Sequence, residues 1–331
     1  MPLTVKHLDY DEFNEGAKQY GKSASPDELT EHAIRSRQRI LDVLAGLSEQ
    51  QYLASYVDAD GYPFEAAQYM KDFIWHDRHH VTQIKHRLFA RIEEMSLNGW
   101  PALQTVVYDG WLLRFAEGYT KRSNSISTIY SGTIELDKKI EACEQYYEQR
   151  EQRVIFKITS FTQPAALDEK LSERGYTLID HSLVKTVHLA DVKAPSAAEI
   201  TLENELTEAW LDLLVLFNGL TAAQREVTRK MMKQSPLQKC FATLYDDGVP
   251  VACGMAAMED GWIGLYDIVT KADKRSRGYG EELVLHLLDW AKGLGATQGY
   301  LLVVKDNKPA NRLYEKIGYR HQYDYWYRVM E

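Results

Sequence analysis

Apolar residues recur at helical spacing in two stretches near the start of the chain: Leu29, Ala33, Ile40, Val43, Leu44 and Leu47, then Phe73, Ile74, Val81, Ile84 and Leu88. Pro26-Asp27-Glu28 marks the start of the first helix, and the run from Asp58 to Pro63 separates the two. From about residue 98 the period shortens to that of strands. A hairpin is expected over 105–116 with its turn at Asp109-Gly110, then a strand at 125–130 and a helix over 137–150. A strand at 154–158, a short helix over 166–174 stopped by Gly175, and a strand at 182–189 follow. Residues 190–197 read as a linker. Beyond it the pattern predicts a strand at 199–202, helices over 207–218 and 222–232, and a hairpin over 239–258 turning at Asp246-Asp247-Gly248. A strand at 262–270, a helix over 280–292, a strand at 299–304, a helix over 309–317 and a last strand at 323–329 complete it. Such interleaving predicts an α/β class with a mixed central sheet.

At 331 residues the chain has material for two or three domains. Lys+Arg 39 against Asp+Glu 48 leaves a net charge of −9, which excludes a global attraction to nucleic acid or to an anionic membrane. No run approaches the roughly 20 apolar residues of a membrane span, and residues 1–7 carry no apolar signal core. Cys143, Cys240 and Cys253 form no CxxC and read as reduced, packed thiols. A cytoplasmic, soluble protein is therefore expected.

The most informative stretch runs from Val269 to Glu281, between a predicted strand and a helix with the apolar face Leu283, Val284, Leu287, Leu288 and Ala291. A loop entering a helix offers unpaired N–H groups and the positive end of the helix dipole. Gly278 and Gly280 allow the curled backbone that aims several N–H groups at one anion, and Lys271, Lys274, Arg275 and Arg277 add cations. These features suit a pyrophosphate, although the spacing is neither GxxxxGK[ST] nor GxGxxG. A second constellation runs from Asn307 to Tyr319. Pro309 suits a first helical turn, Gly318 suits a helix end, and Ala310 shares a face with Tyr314.

Together the two motifs resemble the GNAT acyltransferase superfamily over about 199–331: Arg275-x-x-Gly278-x-Gly280 matches its acyl-CoA loop, and Asn307-x-x-Ala310-x-x-x-Tyr314-x-x-x-Gly318-Tyr319 its later helix. The resemblance implies the α+β GNAT fold, with Ile268, Val269 and Thr270 lining the pantetheine on a splayed strand and the Val269 N–H near the thioester carbonyl. It implies that Arg275, Ser276, Arg277, Gly278, Tyr279 and Gly280 hold the pyrophosphate, that Asn307 touches the CoA arm, and that Tyr314 protonates the departing thiolate. Asp267 and Glu259 are two carboxylates near the predicted site, and the base is left unassigned between them.

Residues 93–190 resemble a divergent GNAT-like first lobe, carried by Trp100-Pro101-Ala102, Asp109-Gly110-Trp111, Arg122-Ser123-Asn124-Ser125 and an ending at Gly175-Tyr176. Where the cradle should lie, residues 131–137 have one glycine and no cation, so this lobe is expected to bind no CoA and to wall the acceptor cleft. Residues 1–92 are expected to form a helical appendage. His76 and His80 share a helical face in a segment that resembles the last helix of DinB-like bundles. Only His7 and His32 could stand for the third ligand such proteins use, so no metal is expected.

The organisation expected is thus 1–92, 93–190 and a catalytic 198–331. The function expected is an N-acetyltransferase that passes acetyl from acetyl-CoA to the amine of a small molecule or protein by direct attack. A homodimer through the N-terminal helices would complete a bundle. The rival readings are an acyl-CoA-binding or sensing protein without catalysis, and a metal-dependent transferase at the N-terminus.

Overall fold

Asp9 accepts hydrogen bonds from the N–H groups of Asp11 and Glu12 and so starts α1 (Tyr10–Ser23), a helix the apolar pattern does not announce. Ser25 and Glu28 then close a capping box around the start of α2 (Pro26–Ala45), and a second box at Ser48 and Gln51 starts the single turn α3 (Glu49–Tyr52). The computed structural model describes residues 9–330, so the opening segment read for a signal core, and His7 with it, lie outside the described residues. The expected break at Asp58 to Pro63 is a small hairpin. The Asp58 carboxylate accepts from Asp60 and Tyr62 N–H between β1 (Ser55–Val57) and β2 (Pro63–Glu65). The long helix α4 (Ala66–Gly99) follows.

The chain divides into two units, 1–85 and 86–331. In the first, Ile40 and Leu44 of α2 and Leu47 just beyond it are half-buried, and Arg37 caps the Phe73 ring at 4.4 Å while pairing with Asp77 at 2.5 Å. Leu29, Ala33 and Val43 of the same expected stripe are exposed, as are Ile74, Val81 and Ile84. Ala66 alone is buried among the described residues of this unit.

The second unit is built on one sheet. Its first strands are β3 (Gln104–Tyr108), β4 (Trp111–Phe115), β5 (Ile126–Ser127) and β6 (Ile155–Thr159), with α5 (Leu136–Glu148) crossing between the last two. The strand expected over 125–130 is short because Thr128 leaves the ladder: its hydroxyl donates to the Lys157 carbonyl and its own carbonyl accepts from Gln163 N–H. Then come α6 (Leu167–Glu173), β7 (Thr177–His188), β8 (Ile200–Glu203), α7 (Glu208–Asn218), α8 (Ala222–Gln234), β9 (Gln238–Asp246), β10 (Val249–Glu259) and β11 (Trp262–Thr270). Finally α9 (Tyr279–Gly293) crosses to β12 (Gln298–Val304), and α10 (Lys308–Ile317) leads to β13 (Arg320–Val329).

The spatial order is β3-β4-β5-β6-β13-β7-β12-β11-β10-β9-β8. Among the described residues only β5–β6 and β11–β12 pair in parallel, each through a strand–loop–helix–strand crossover. The closing strands are exchanged: β7 runs beside β12, and β13, the last strand of the chain, lies between β6 and β7. Strand alternation fixes the faces. Tyr323, Tyr325, Tyr327 and Val329 of β13 join Ile92 and Met95 of α4 and Trp210 and Leu211 of α7 in one core. The opposite face packs Leu283, Val284 and Leu287 of α9 with Tyr314 and Ile317 of α10. Inside the first core, Glu93 and Lys157 form a fully buried ion pair at 2.5 Å, and Tyr323 donates to Glu93. Removing one partner of such a pair costs about 3–5 kcal/mol. The mixed α/β class read from the pattern is the class observed. No described helix is long and apolar enough to cross a membrane.

Candidate active site

A bulge opens the sheet. On β10, Cys253 faces Val269 and Met255 faces Tyr266, so Gly254 alone opposes both Asp267 and Ile268. Asp267 takes the left-handed conformation this demands, with φ 49°. A Cβ at Gly254 would come within 2.6 Å of the Ile268 Cδ1 and 3.3 Å of the Ile268 Cα, so a larger residue there would displace the Ile268 side chain. Past the bulge, β11 parts from β12, the last pair being Leu265↔Leu301, while β10 still holds β11 as far as Thr270.

A cleft of about 630 Å³ lies at the parted strands, lined by Ile268, Val269, Thr270, Arg275, Ser276, Gly278, Tyr279, Gly280 and Asn307, and also by Ala310 and Leu313. Nine of the ten residues read from the sequence as binding residues are thus brought together; Arg277 is the exception. It lines a groove on the outer side of the loop with Ser196, Glu199 and Tyr245. Tyr314, one turn beyond Ala310 on α10, is also absent from the lining. It is 9% exposed and packs edge-on against Tyr319 at 5.8 Å. Burial pushes its phenol up to about 12, against the pull of the Arg122 charge. Sequence reasoning did not single out Asn218, at the end of α7, which reaches the cleft only through the tertiary fold.

The loop's resource is its backbone. Ser276 and Gly278 have φ of 62° and 89°, and α9 starts without a side-chain cap. The N–H groups of Ser276, Arg277, Gly278, Tyr279, Gly280 and Glu281 have no hydrogen-bond partner among the described residues. The cations are less free than their number implies. Lys274 pairs with Asp246 at 2.9 Å, Lys271 with Asp273 at 3.5 Å, and Arg275 Nε donates to the Thr270 carbonyl. At Gly280 a Cβ would press on Leu313 and Thr270 at 3.3 Å, narrowing the cleft.

The corresponding loop between β5 and α5 is closed by the protein itself. The Asp109 carboxylate accepts from Thr133 N–H and Ile134 N–H at 2.9 Å and pairs with buried Lys139 at 3.0 Å. Hydrogen bonds from the Thr133 and Ile134 backbone and from Lys139 hold that carboxyl far below the usual carboxylate range. A Cβ at Gly132 would overlap it. An internal anion therefore takes the donors that a pyrophosphate would need.

The two candidate carboxylates differ: Asp267 adjoins Ile268 of the cleft wall, whereas Glu259 stands at the hairpin end of β10 opposite Trp262, and neither is among the residues lining the cleft. Glu259 accepts from Arg91 at 2.9 Å and Asn98 at 3.0 Å. Asp267 is half-buried, its Oδ2 is buried with no hydrogen-bond partner, and burial pushes it up to about 6 although Arg122 opposes this. His76 and His80 lie on an exposed face of α4 with their Nε2 atoms 3.1 Å apart, while His32 is set against Tyr20. No group of three or more His, Cys, Asp or Glu residues among those described could hold a metal.

A parted parallel strand pair facing an uncapped helix start defines a GNAT-type acetyltransferase fold. A family model described as "Probable histone acetyltransferase Rv0428c C-terminal" matches residues 89–328, and the chain belongs to that family. It is 30% identical over 243 residues to the "Uncharacterized N-acetyltransferase YobR" of Bacillus subtilis (strain 168), covering 72% of this chain and 97% of the relative. Among solved structures, a GCN5-related N-acetyltransferase from Kribbella flavida has a TM-score of 0.57 at 18% identity, covering 72% of this chain and 94% of that one. A functionally unknown conserved protein from Staphylococcus epidermidis ATCC 12228 has a TM-score of 0.53 at 14% identity, over 69% of this chain and 94% of that one. These two likenesses are of fold.

Proposed function

We propose that the chain transfers acetyl from acetyl-CoA to an amine by direct attack, using the cleft at the parted strands. The observation that carries the reading is the row of unpartnered N–H groups from Ser276 to Glu281 at the open end of that cleft. They would receive the pyrophosphate, and the walls at Ile268, Val269 and Thr270 would receive the arm that ends in the thioester. In this reading Asp267 takes a proton from the ammonium, and the freed amine nitrogen attacks the thioester carbonyl carbon. The carbon–sulfur bond then breaks, and Tyr314 gives its phenolic proton to the thiolate before solvent restores it. Asp267 is favoured over Glu259 because its buried oxygen is free while Glu259 is held by Arg91 and Asn98.

This assignment sets the pH dependence. Asp267 is a base only when ionised, so activity is lost as pH falls through its value of about 6. The expected profile of kcat/KM has an ascending limb there, and Asp267→Asn should remove the limb and lower kcat by roughly 10²-fold or more. A limb that survives in the variant rules Asp267 out.

The two parallel crossovers, one open and one closed by Asp109, support reading 93–190 as a GNAT-like lobe that no longer binds CoA beside a working one at 198–331. The bare apolar residues Val81 and Ile84 on α4, in a unit with little core of its own, support pairing of the N-terminal helices with a second copy. Sedimentation is expected to give a dimer that Val81→Glu/Ile84→Glu converts to a monomer; a monomeric wild type ends that reading.

A further inference from the structure

A second cavity, of about 640 Å³, shares no lining residue with the cleft at the parted strands. Its walls come from both lobes: the end of α4, the hairpin of β3 and β4, and residues 234–237 between α8 and β9. Arg91 and Asn98 of this cavity hold Glu259, which stands five residues along β10 from the bulge at Gly254. At about 3.3 Å per residue, that separation is roughly 17 Å. The volume is that of a small-molecule site, and its position is too remote for the acetyl-transfer chemistry.

Arg114 of β4 belongs to its wall and is only 2% exposed. The guanidinium donates to the carbonyls of Leu97 at 2.9 Å and Trp100 at 2.6 Å, where α4 ends, and to the Arg122 carbonyl at 2.7 Å. That engages three of the five N–H groups a guanidinium carries. A helix end supplies about half an elementary negative charge, so a net positive charge stays in the wall. No carboxylate pairs with Arg114 among the described residues, and burial pulls it down only to about 10, which leaves it charged at neutral pH. Leu97, Leu112 and Leu237 give the same cavity apolar walls. The α4 rim has the opposite character. Arg91 pairs there with Glu94 at 2.8 Å, with Glu259 at 2.9 Å and with Asp260. Three carboxylates on one guanidinium leave a negative excess, which repels a second acid group or a phosphate chain.

We propose that this cavity binds a small organic monocarboxylate with an apolar body, its carboxylate on Arg114 and its hydrocarbon against Leu97, Leu112 and Leu237. The ligand supplies the counter-charge that the chain does not. A hydrogen bond between ionised partners is about twice as strong as a neutral one, and the hydrocarbon leaves water on entering. The walls belong to both lobes, so an occupant bridges them. The site stands apart from the acetyl-CoA cleft and does not depend on the acetyl-transfer reading.

The test uses the full chain at neutral pH. Hexanoate and 3-phenylpropionate are titrated into it by calorimetry, with and without excess CoA. Each is compared with its uncharged amide and with a dicarboxylate of the same skeleton, adipate and 3-(4-carboxyphenyl)propionate. At least one monocarboxylate is expected to bind about tenfold or more tighter than both its amide and its dicarboxylate, with CoA making no difference. Ala102→Trp, which fills the cavity from its wall, should abolish that binding, and Arg114→Met should erase the preference for acid over amide. If Arg114→Met does not fold, Ala102→Trp and the wild-type comparison of acid with amide decide. Binding by neither monocarboxylate, an amide or dicarboxylate that binds as well, displacement by CoA, or binding that survives Ala102→Trp would each overturn the proposal.

Discussion

Replacing Gly278 with valine is expected to abolish CoA binding, which in the wild-type protein should titrate at one equivalent per chain. Gly278 has φ 89°, and a Cβ there would meet nothing within 4 Å. The substitution therefore acts on the backbone and not on packing: a β-branched residue is strongly strained at that angle and swings the loop out of its curl. The N–H groups from Ser276 to Glu281 then no longer converge. Thermal stability should fall by only about 1–3 kcal/mol, so lost binding is separable from lost fold. Arg277→Glu should weaken binding far less, since Arg277 faces the outer groove. No second site is expected, because Asp109 already holds the N–H groups of Thr133 and Ile134. A stoichiometry near two, or one site surviving in Gly278→Val, would make the middle lobe a working acyl-CoA site.

Tyr314→Phe is expected to lower kcat by about 10²–10⁴-fold with CoA affinity nearly unchanged. The substitution removes one hydroxyl and leaves the loop from Ser276 to Glu281 and the walls at Ile268 to Thr270 untouched, so it takes little from binding. Burial raises it to about 12, which keeps it protonated at neutral pH and able to give its proton to a thiolate. The ring's contact with Tyr319 is kept in phenylalanine, so the variant should fold. Unchanged kcat would leave Tyr314 as a core residue only.

The parts of the site that lie close together in sequence were legible. Gly278 and Gly280 before an apolar helix face, and Asn307 with Pro309 before another, carry local backbone requirements: a positive φ, a free N–H, a fixed first turn. Nine of ten expected binding residues therefore line one cleft, since each is set by its own loop or strand. Arg277 lines the outer groove instead, because a basic residue in a loop does not reveal which side of it the side chain takes. Helix α1 was missed because its start signal, Asp9, is a polar cap and not an apolar stripe.

What the sequence by itself determined is the alternation of helices and strands, the anion-ready loop at Arg275 to Gly280 and the helix start at Asn307, all of which follow from local propensity, spacing and glycine geometry. Only the tertiary structure decided what is long-range. The exchange of β7 and β13 pairs strands that are distant in the chain, and hydrophobic alternation does not name its partner. The Asp109 plug joins a turn to a loop 24 residues on. The separation of Asp267 from Glu259 arises because Arg91 and Asn98 of α4 reach one carboxylate and not the other. Burial is a property of the assembled sheet, and it is what leaves one Asp267 oxygen without a partner and pushes its carboxyl up to about 6.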